Sequence, residues 1–286
     1  LESFSNVLKE MALSSDDVID NNYDPNLDGE ITDILHEVGV PAHIKVGVVP
    51  GPYRGMIDKH IKPILEKKGF TIEFVEFTDY VQPDAALDSG DIDVNLMQHQ
   101  KYLDGMVENQ GLKLVGVVNV PTLGLGVFSD KYKTFDEVPE GSQIGIPTDA
   151  VNLSRALKIA QTLGLITLKT ENSEQKASIA DIDSNPKNFK FVPMEAAQIS
   201  RSLDSIEVGF IPGNYAYASG MDYSKALGVE AVSEPIKNVV AVAKSNENTI
   251  GKLFKDAFTS EEFVSSIEAD SEFNAFTRPA WWPVKK

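Results

Sequence analysis

From Ile44 onward the chain alternates compact apolar runs with stretches in which apolar positions recur every third or fourth residue. Ile44–Val49 predicts a strand, Pro50-Gly51-Pro52 a turn, and Tyr53–Lys68 a helix whose apolar face is Met56, Ile57, Ile61, Ile64 and Leu65, kinked at Pro63 and closed by Gly69. Thr71–Phe77, Ile92–Met97 and Leu112–Val118 read as further strands, with helices between them near Pro83–Ser89 and over Gln100–Asn109. A second set follows: strands at Gly124–Phe128, Gln143–Pro147, Phe189–Pro193 and Glu207–Ile211, and helices over Val151–Leu163 and Ala196–Leu203. The end of the chain adds an apolar strand at Val239–Ala243 and helices around Ile250–Phe258 and Glu261–Ala269.

This rhythm predicts an α/β protein with a mixed, mostly parallel sheet in each of two lobes and a ligand site in the crevice between them, at the carboxyl ends of strands. The 286 residues are enough for two such lobes. Residues 44–121 plus 232–286 are expected to form the first lobe and 122–231 the second. Residues 1–43 lack a strong period; Phe4, Val7, Leu8 and Met11 suggest one short amphipathic helix ahead of turn-forming residues.

Charge changes the picture at the front of the chain. The net charge is −17, and residues 1–43 hold ten acids against Lys9 alone, so that segment reads as an acidic extension or tether. A polyanionic partner requires clustered Lys and Arg, so no nucleic acid is expected. Asp24–Ile31 copies the first eight positions of a calcium loop, but the twelfth position is Leu35 where a bidentate glutamate belongs. No metal is therefore assigned.

With no cysteine there is no disulfide framework, thiolate chemistry or Cys-based zinc site. Apolar stretches are broken well before the roughly 18 residues a membrane span needs, and no secretory leader stands at Leu1. The four histidines form neither an HExxH motif nor a visible triad, and Gly124-x-Gly126 is too short for a nucleotide loop. No catalytic residue and no cofactor is expected.

Several motifs resemble, in order, those of the methionine-binding lipoproteins, the NlpA family. They begin with Val46-Gly47-Val48-Val49-Pro50-Gly51-Pro52. Phe77-Thr78-Asp79-Tyr80-Val81-Gln82-Pro83 follows, then Leu87-x-x-Gly90-Asp91-Ile92-Asp93-x-Asn95 and Gln98-His99-x-x-Tyr102-Leu103. Pro147-x-Asp149-x-x-Asn152-Leu153-x-Arg155-Ala156-Leu157, Gly164-Leu165-Ile166, Asn185-Pro186-Lys187-Asn188 and Arg201-Ser202-Leu203-Asp204 complete the set.

The resemblance spans about residues 44–275. It implies a type II-like periplasmic-binding-protein fold whose chain crosses twice between lobes, and a non-enzymatic, monomeric receptor delivering methionine to an ABC permease. It also implies an extracytoplasmic protein held to the bacterial membrane by a lipid on a cysteine missing from this chain. Three departures stand out: the long front segment, the absence of an aromatic residue in Asn119–Gly126, and FTRPAWW at Phe276–Trp282 in place of a short tail.

A free amino acid needs a cation for its carboxylate, acceptors for its ammonium and a matching pocket for its side chain. Arg155 is the candidate for the carboxylate, since guanidinium offers a planar fork of donors, in the first turn of a helix that Asp149 or Asn152 opens. Local sequence alone leaves open an exposed arginine on a solvated helix face. Asn214 and Asn238, at strand ends, resemble the family's two asparagines near the ligand's charged groups; a turn or cap role is the alternative. Asn152 joins this polar set.

Tyr80, His99 and Tyr102 are nominated for a thioether, which gains on the order of 1 kcal/mol at aromatic edges. Gln98 either holds His99, meets the ligand or is structural. The cargo alternatives are a methionine-containing dipeptide or another apolar amino acid, and an enzyme on a similar two-lobe fold is the remaining rival. Arg155→Ala is expected to abolish binding and leave the fold intact.

Overall fold

The computed structural model describes residues 39–169 and 176–284. The predicted helix at Phe4–Met11 and the calcium-like loop at Asp24–Leu35 lie outside them. In chain order the strands are β1 (His43–Val48), β2 (Thr71–Glu76), β3 (Val94–His99), β4 (Leu114–Asn119), β5 (Gly126–Phe128), β6 (Gln143–Pro147), β7 (Thr167–Leu168), β8 (Ile182–Ser184), β9 (Lys190–Met194), β10 (Val208–Ile211), β11 (Gly228–Val229) and β12 (Asn238–Ala243). The helices are α1 (Pro52–His60), α2 (Lys62–Lys67), α3 (Gln82–Ser89), α4 (Gln100–Gln110), α5 (Ala150–Thr162), α6 (Ala196–Ile199), α7 (Gly213–Ala218), α8 (Ile250–Phe258) and α9 (Glu261–Glu268).

Two five-stranded sheets organise the chain, in the orders β2-β1-β3-β12-β4 and β11-β5-β10-β6-β9, with β7 and β8 forming a separate ribbon. One strand in each sheet runs against the rest: β12 is antiparallel to both β3 and β4, and β5 to both β10 and β11. The remaining pairs, β1 with β2 and β3 and β6 with β9 and β10, are parallel, as repeated βα units require. The expected mixed, mostly parallel two-lobe α/β architecture is the one observed.

The chain passes from the first sheet to the second between Asn119 and Gly126, and returns between Val229 and Asn238. Each sheet is buried on both faces. Ile44, Val46, Leu96, Val240 and Val242 meet α1, α2, α8 and α9 on one side of the first sheet, and Leu87, Ile92, Leu103 and Val239 close the α3–α4 side. In the second sheet, Val127, Ile144, Ile146, Val208 and Phe210 pack on Ala156, Leu157 and Ala160 of α5, while Phe128 and Ile211 pack on Ile199 and Leu203.

Several local readings shift. The helix expected over Tyr53–Lys68 is two helices broken at Ile61, because Pro63 has no N–H for the carbonyl of Lys59 and sits in the first turn of α2, where that loss is tolerated. The helix expected over Ala196–Leu203 ends at Ile199 and tightens into a 3-10 turn at Ser200–Ser202. Strand β3 starts two residues later than expected. Its register against β12 slips between Val239 and Val240, which face Gln98 and Leu96, so Met97 is an extra residue bulging from the ladder.

Trp281 and Trp282 pack on the core of the first lobe. The tail also fastens both crossings. Thr277 pairs with Thr122 through two backbone bonds of 2.9 and 3.0 Å, the Trp281 indole N–H donates to the Asn119 carbonyl at 2.8 Å, and the Ala280 N–H donates to Glu234 Oε1 at 3.0 Å. Among the described residues no helix is long and apolar enough to cross a membrane.

Candidate functional site

Where the carboxyl ends of β1 and β3 face α5 and α7, a partly open pocket lies between the lobes. All eight residues singled out in the sequence line it: Tyr80, Gln98, His99 and Tyr102 from the first lobe, Asn152, Arg155 and Asn214 from the second, and Asn238 where the second crossing enters β12. Tyr53, Met97 and Leu123 share the wall. Tyr53 carries only a helical signal in the sequence; placed at the Pro-Gly-Pro entry to α1, its hydroxyl accepts from the Leu123 N–H at 3.2 Å.

Arg155 departs from expectation in two respects. It is the sixth residue of α5, whose cap is the Asp149 carboxylate accepting from the Asn152 N–H at 2.9 Å, so it stands in the second turn rather than the first. Its fork is also partly taken. Nε donates to Glu230 Oε2 at 2.5 Å and Nη2 to Glu230 Oε1, a bidentate pair with side chains only 10% and 4% exposed. Burial works against the guanidinium charge and the pairing with Glu230 outweighs it, so the pKa rises. Nη1 makes only a long bond to Asn152 Oδ1, at 3.4 Å, and is the donor edge left for a ligand.

Glu230 escaped the sequence reading because it follows a two-residue strand in an irregular crossing. Its one sequence signal is an acidic residue inside an otherwise apolar stretch, Gly228–Val232.

His99 joins the lobes. Its Nδ1 accepts from the Tyr102 N–H at 3.0 Å, capping α4, so the ring proton is on Nε2 and is donated to Asn152 Oδ1 at 3.2 Å. Burial, reinforced by the charge of Arg155, pushes the His99 pKa down to about 3. The ring is a neutral wall at physiological pH. Beside it Tyr80 packs against Tyr102 at 5.8 Å and Tyr215 at 5.4 Å between centroids, and His99 meets Tyr102 edge-on at 6.3 Å. This aromatic face suits a polarizable apolar group.

Two polar atoms of the cavity residues are buried and without a partner, Asn214 Nδ2 and Gln98 Oε1. Asn214 Oδ1 already accepts from the Tyr80 hydroxyl at 2.7 Å, which turns its amide N–H₂ away from Tyr80. The cavity thus offers an unused donor, an unused acceptor and a guanidinium edge beside an aromatic wall. A group left unpaired in this way costs about 1–3 kcal/mol until something meets it.

The NlpA lipoprotein family model matches residues 44–281. The chain belongs to the NlpA lipoprotein family. The match runs from β1 to Trp281 and covers every cavity residue named above. Among NlpA relatives, the D-methionine-binding lipoprotein MetQ of Salmonella typhi is 38% identical over 238 residues, 82% of this chain and 84% of its own.

A nutrient binding protein from Burkholderia cenocepacia solved bound to methionine superposes with a TM-score of 0.76 at 36% identity, covering 82% of this chain and 99% of its own. The substrate binding protein of a methionine transporter from Streptococcus pneumoniae gives 0.75 at 30%, covering 82% and 94%. The NlpA match stops at Trp281, two residues short of Pro283, so the tail that fastens the crossings lies within it.

Proposed function

We propose that this protein captures methionine between its lobes and presents it to the permease of an ABC importer. It would do so outside the cytoplasmic membrane, held there by a lipid on a cysteine absent from this chain. One observation carries the reading: an unpaired donor, an unpaired acceptor and a buried guanidinium edge converge beside an aromatic wall in the pocket between the lobes. Relatives in sequence and in structure, the three described above among them, are named for methionine.

In this assignment Arg155 Nη1 and Asn214 Nδ2 donate to the ligand carboxylate, with Asn152 and Asn238 completing the polar shell. Gln98 Oε1 accepts from the ammonium, and Tyr80, His99 and Tyr102 enclose the thioether. Glu230 holds Arg155 in place and balances its charge. A methionine-containing dipeptide is the second reading, favoured by a wider chamber on the far side of His99 and Arg155 that Lys101, Ser154 and Lys158 also line.

Calorimetry with L-methionine, D-methionine and glycyl-methionine tests the assignment. Sub-micromolar binding of one methionine enantiomer, weakened at least 10-fold in Arg155→Lys, is expected, because lysine keeps the pairing with Glu230 and loses the fork. Binding of none of the three compounds would refute it.

A further inference from the structure

Behind the cavity wall of the first lobe sits a carboxylate for which the ligand contacts above give no role. Asp84, in the first turn of α3, is fully buried. Among the described residues no cation pairs with it; its Oδ1 accepts from Gln98 Nε2 at 2.6 Å and from Asn95 Nδ2 at 3.0 Å, and its Oδ2 has no partner. Gln98 Nε2 also donates to Asn95 Oδ1 at 3.1 Å. Both amide hydrogens of Gln98 are therefore spent on Asp84 and Asn95, and the carbonyl Oε1 is what this planar group has left to offer. That oxygen is the unpaired acceptor at the cavity.

We propose that Asp84 is a positioning residue that acts through Gln98 to make the cavity demand a cationic group on its ligand, the α-ammonium of an amino acid. The inference rests on the reading given under Proposed function and adds a selectivity to it. The bulge at Met97 is what permits the arrangement. In an unbroken strand Asn95 and Gln98, three residues apart, would face opposite sides of the sheet; the extra residue brings both to Asp84.

Charge bookkeeping points the same way. His99 is neutral and Arg155 is balanced by Glu230, and of the other charges acting on the cavity residues Asp84, Asp149 and Asp79 stand against Lys101, so the surroundings are net negative with Asp84 the fully buried member. A ligand bringing only a carboxylate adds to that charge, whereas a zwitterion brings its own cation to the Gln98 carbonyl. Asp84 also holds its charge at a cost, burial pushing its pKa up to about 6 against the two amide bonds. A buried charge that opposes folding is the kind of feature retained for a site rather than for stability.

The test compares methionine with 4-(methylthio)butanoate, the same skeleton with hydrogen in place of the ammonium, by direct and competition calorimetry on the full chain. Asp84→Asn keeps the shape and an acceptor for Gln98. It is expected to weaken methionine at least fivefold while leaving the deaminated acid unchanged or tighter, so the preference shrinks at least fivefold. Gln98→Met, which removes the carbonyl and leaves Asp84 in place, is expected to shrink it likewise.

A preference unchanged in both variants, whether the two ligands weaken together or not at all, overturns the proposal. Wild-type protein that binds methionine and deaminated acid equally overturns it as well. Wild-type protein that binds neither refutes the methionine reading itself, and this inference with it.

Discussion

Gly51 of the first lobe lies directly against Asn214 of the second: a Cβ on Gly51 would fall 2.7 Å from the Asn214 Cβ and 3.0 Å from its Cα and carbonyl oxygen. Gly51 also has φ of +147°, which an L side chain rarely adopts. The Pro50-Gly51-Pro52 turn is thus a contact point where the lobes close without a side chain between them, beside the asparagine whose amide nitrogen is unpaired.

Gly51→Ala therefore carries two costs. The strained dihedral costs about 1–2 kcal/mol whether or not ligand is bound. The clash with Asn214 exists only when the lobes are shut, so ligand dissociation is expected to accelerate at least tenfold. Stopped-flow release of bound methionine measures it, and an unchanged off-rate would remove the contact from any account of closure.

The pairing of Arg155 with Glu230 alters what a charge deletion reports. Removing either partner strands the other, at about 3–5 kcal/mol for a buried pair. Arg155→Ala and Glu230→Ala are both expected to lose that much in urea denaturation, and the double variant Arg155→Met with Glu230→Met to recover most of it without recovering methionine binding. Single variants as stable as wild type would show the pair to be energetically idle.

Asp84 gives a pH dependence with a definite sign. Its folded pKa, about 6, lies above the ordinary 3.8, so the folded protein holds this proton more tightly than the unfolded chain does. Well below pH 3.8 the group is protonated in both states and costs nothing; from there to pH 6 and above, ionisation progressively favours unfolding, by about 3 kcal/mol in all. Asp84→Asn should melt higher than wild type at pH 7.5, with most of that gap gone by pH 4. A gap of constant size across that range would mean that the charge is not the cause.

Trp281 should matter more to stability than its partial exposure suggests. It packs on the first core and its indole N–H holds the Asn119 carbonyl at the first crossing. Trp281→Ala is expected to cost about 2 kcal/mol in chemical denaturation through lost packing and one lost hydrogen bond. A loss within about 0.5 kcal/mol, the range of ordinary surface substitutions, would make the tail an ornament.

Much of the scaffold was legible because burial on both faces writes itself as apolar runs: Ile44–Val48 and Val239–Ala243 have few other readings. Asn214 and Asn238 were legible as candidates because each sits at a strand end, Arg155 because a fork of donors stands near the start of a helix, and the linked motifs supplied the rest. Three features were not legible. Strand alternation puts Asn95 and Gln98 on opposite faces, and only the slip at Met97, a property of pairing with a strand about 140 residues later in the chain, reverses that.

Asp84, acidic and in the first turn of a helix, has the local signature of a solvated dipole partner. Glu230 belongs to no periodic element, so nothing nearby announces that it would meet a helix 75 residues upstream. Its presence is also why Arg155→Ala, expected from the sequence to leave the fold intact, should lower stability as well as binding.

The position of β12 dictates an order of assembly. β3 and β4 are joined only through it, so the first sheet stays in two pieces until residues 238–243 arrive, whereas every strand of the second sheet is present by Val229. In a chain emerging from its N-terminus, the inner edges of β3 and β4 wait unpaired through that interval, the kind of exposure that invites chaperones or mispairing. The late strand also begins with Asn238, so the gap in the sheet and the gap in the cavity wall are closed by the same segment at the same moment.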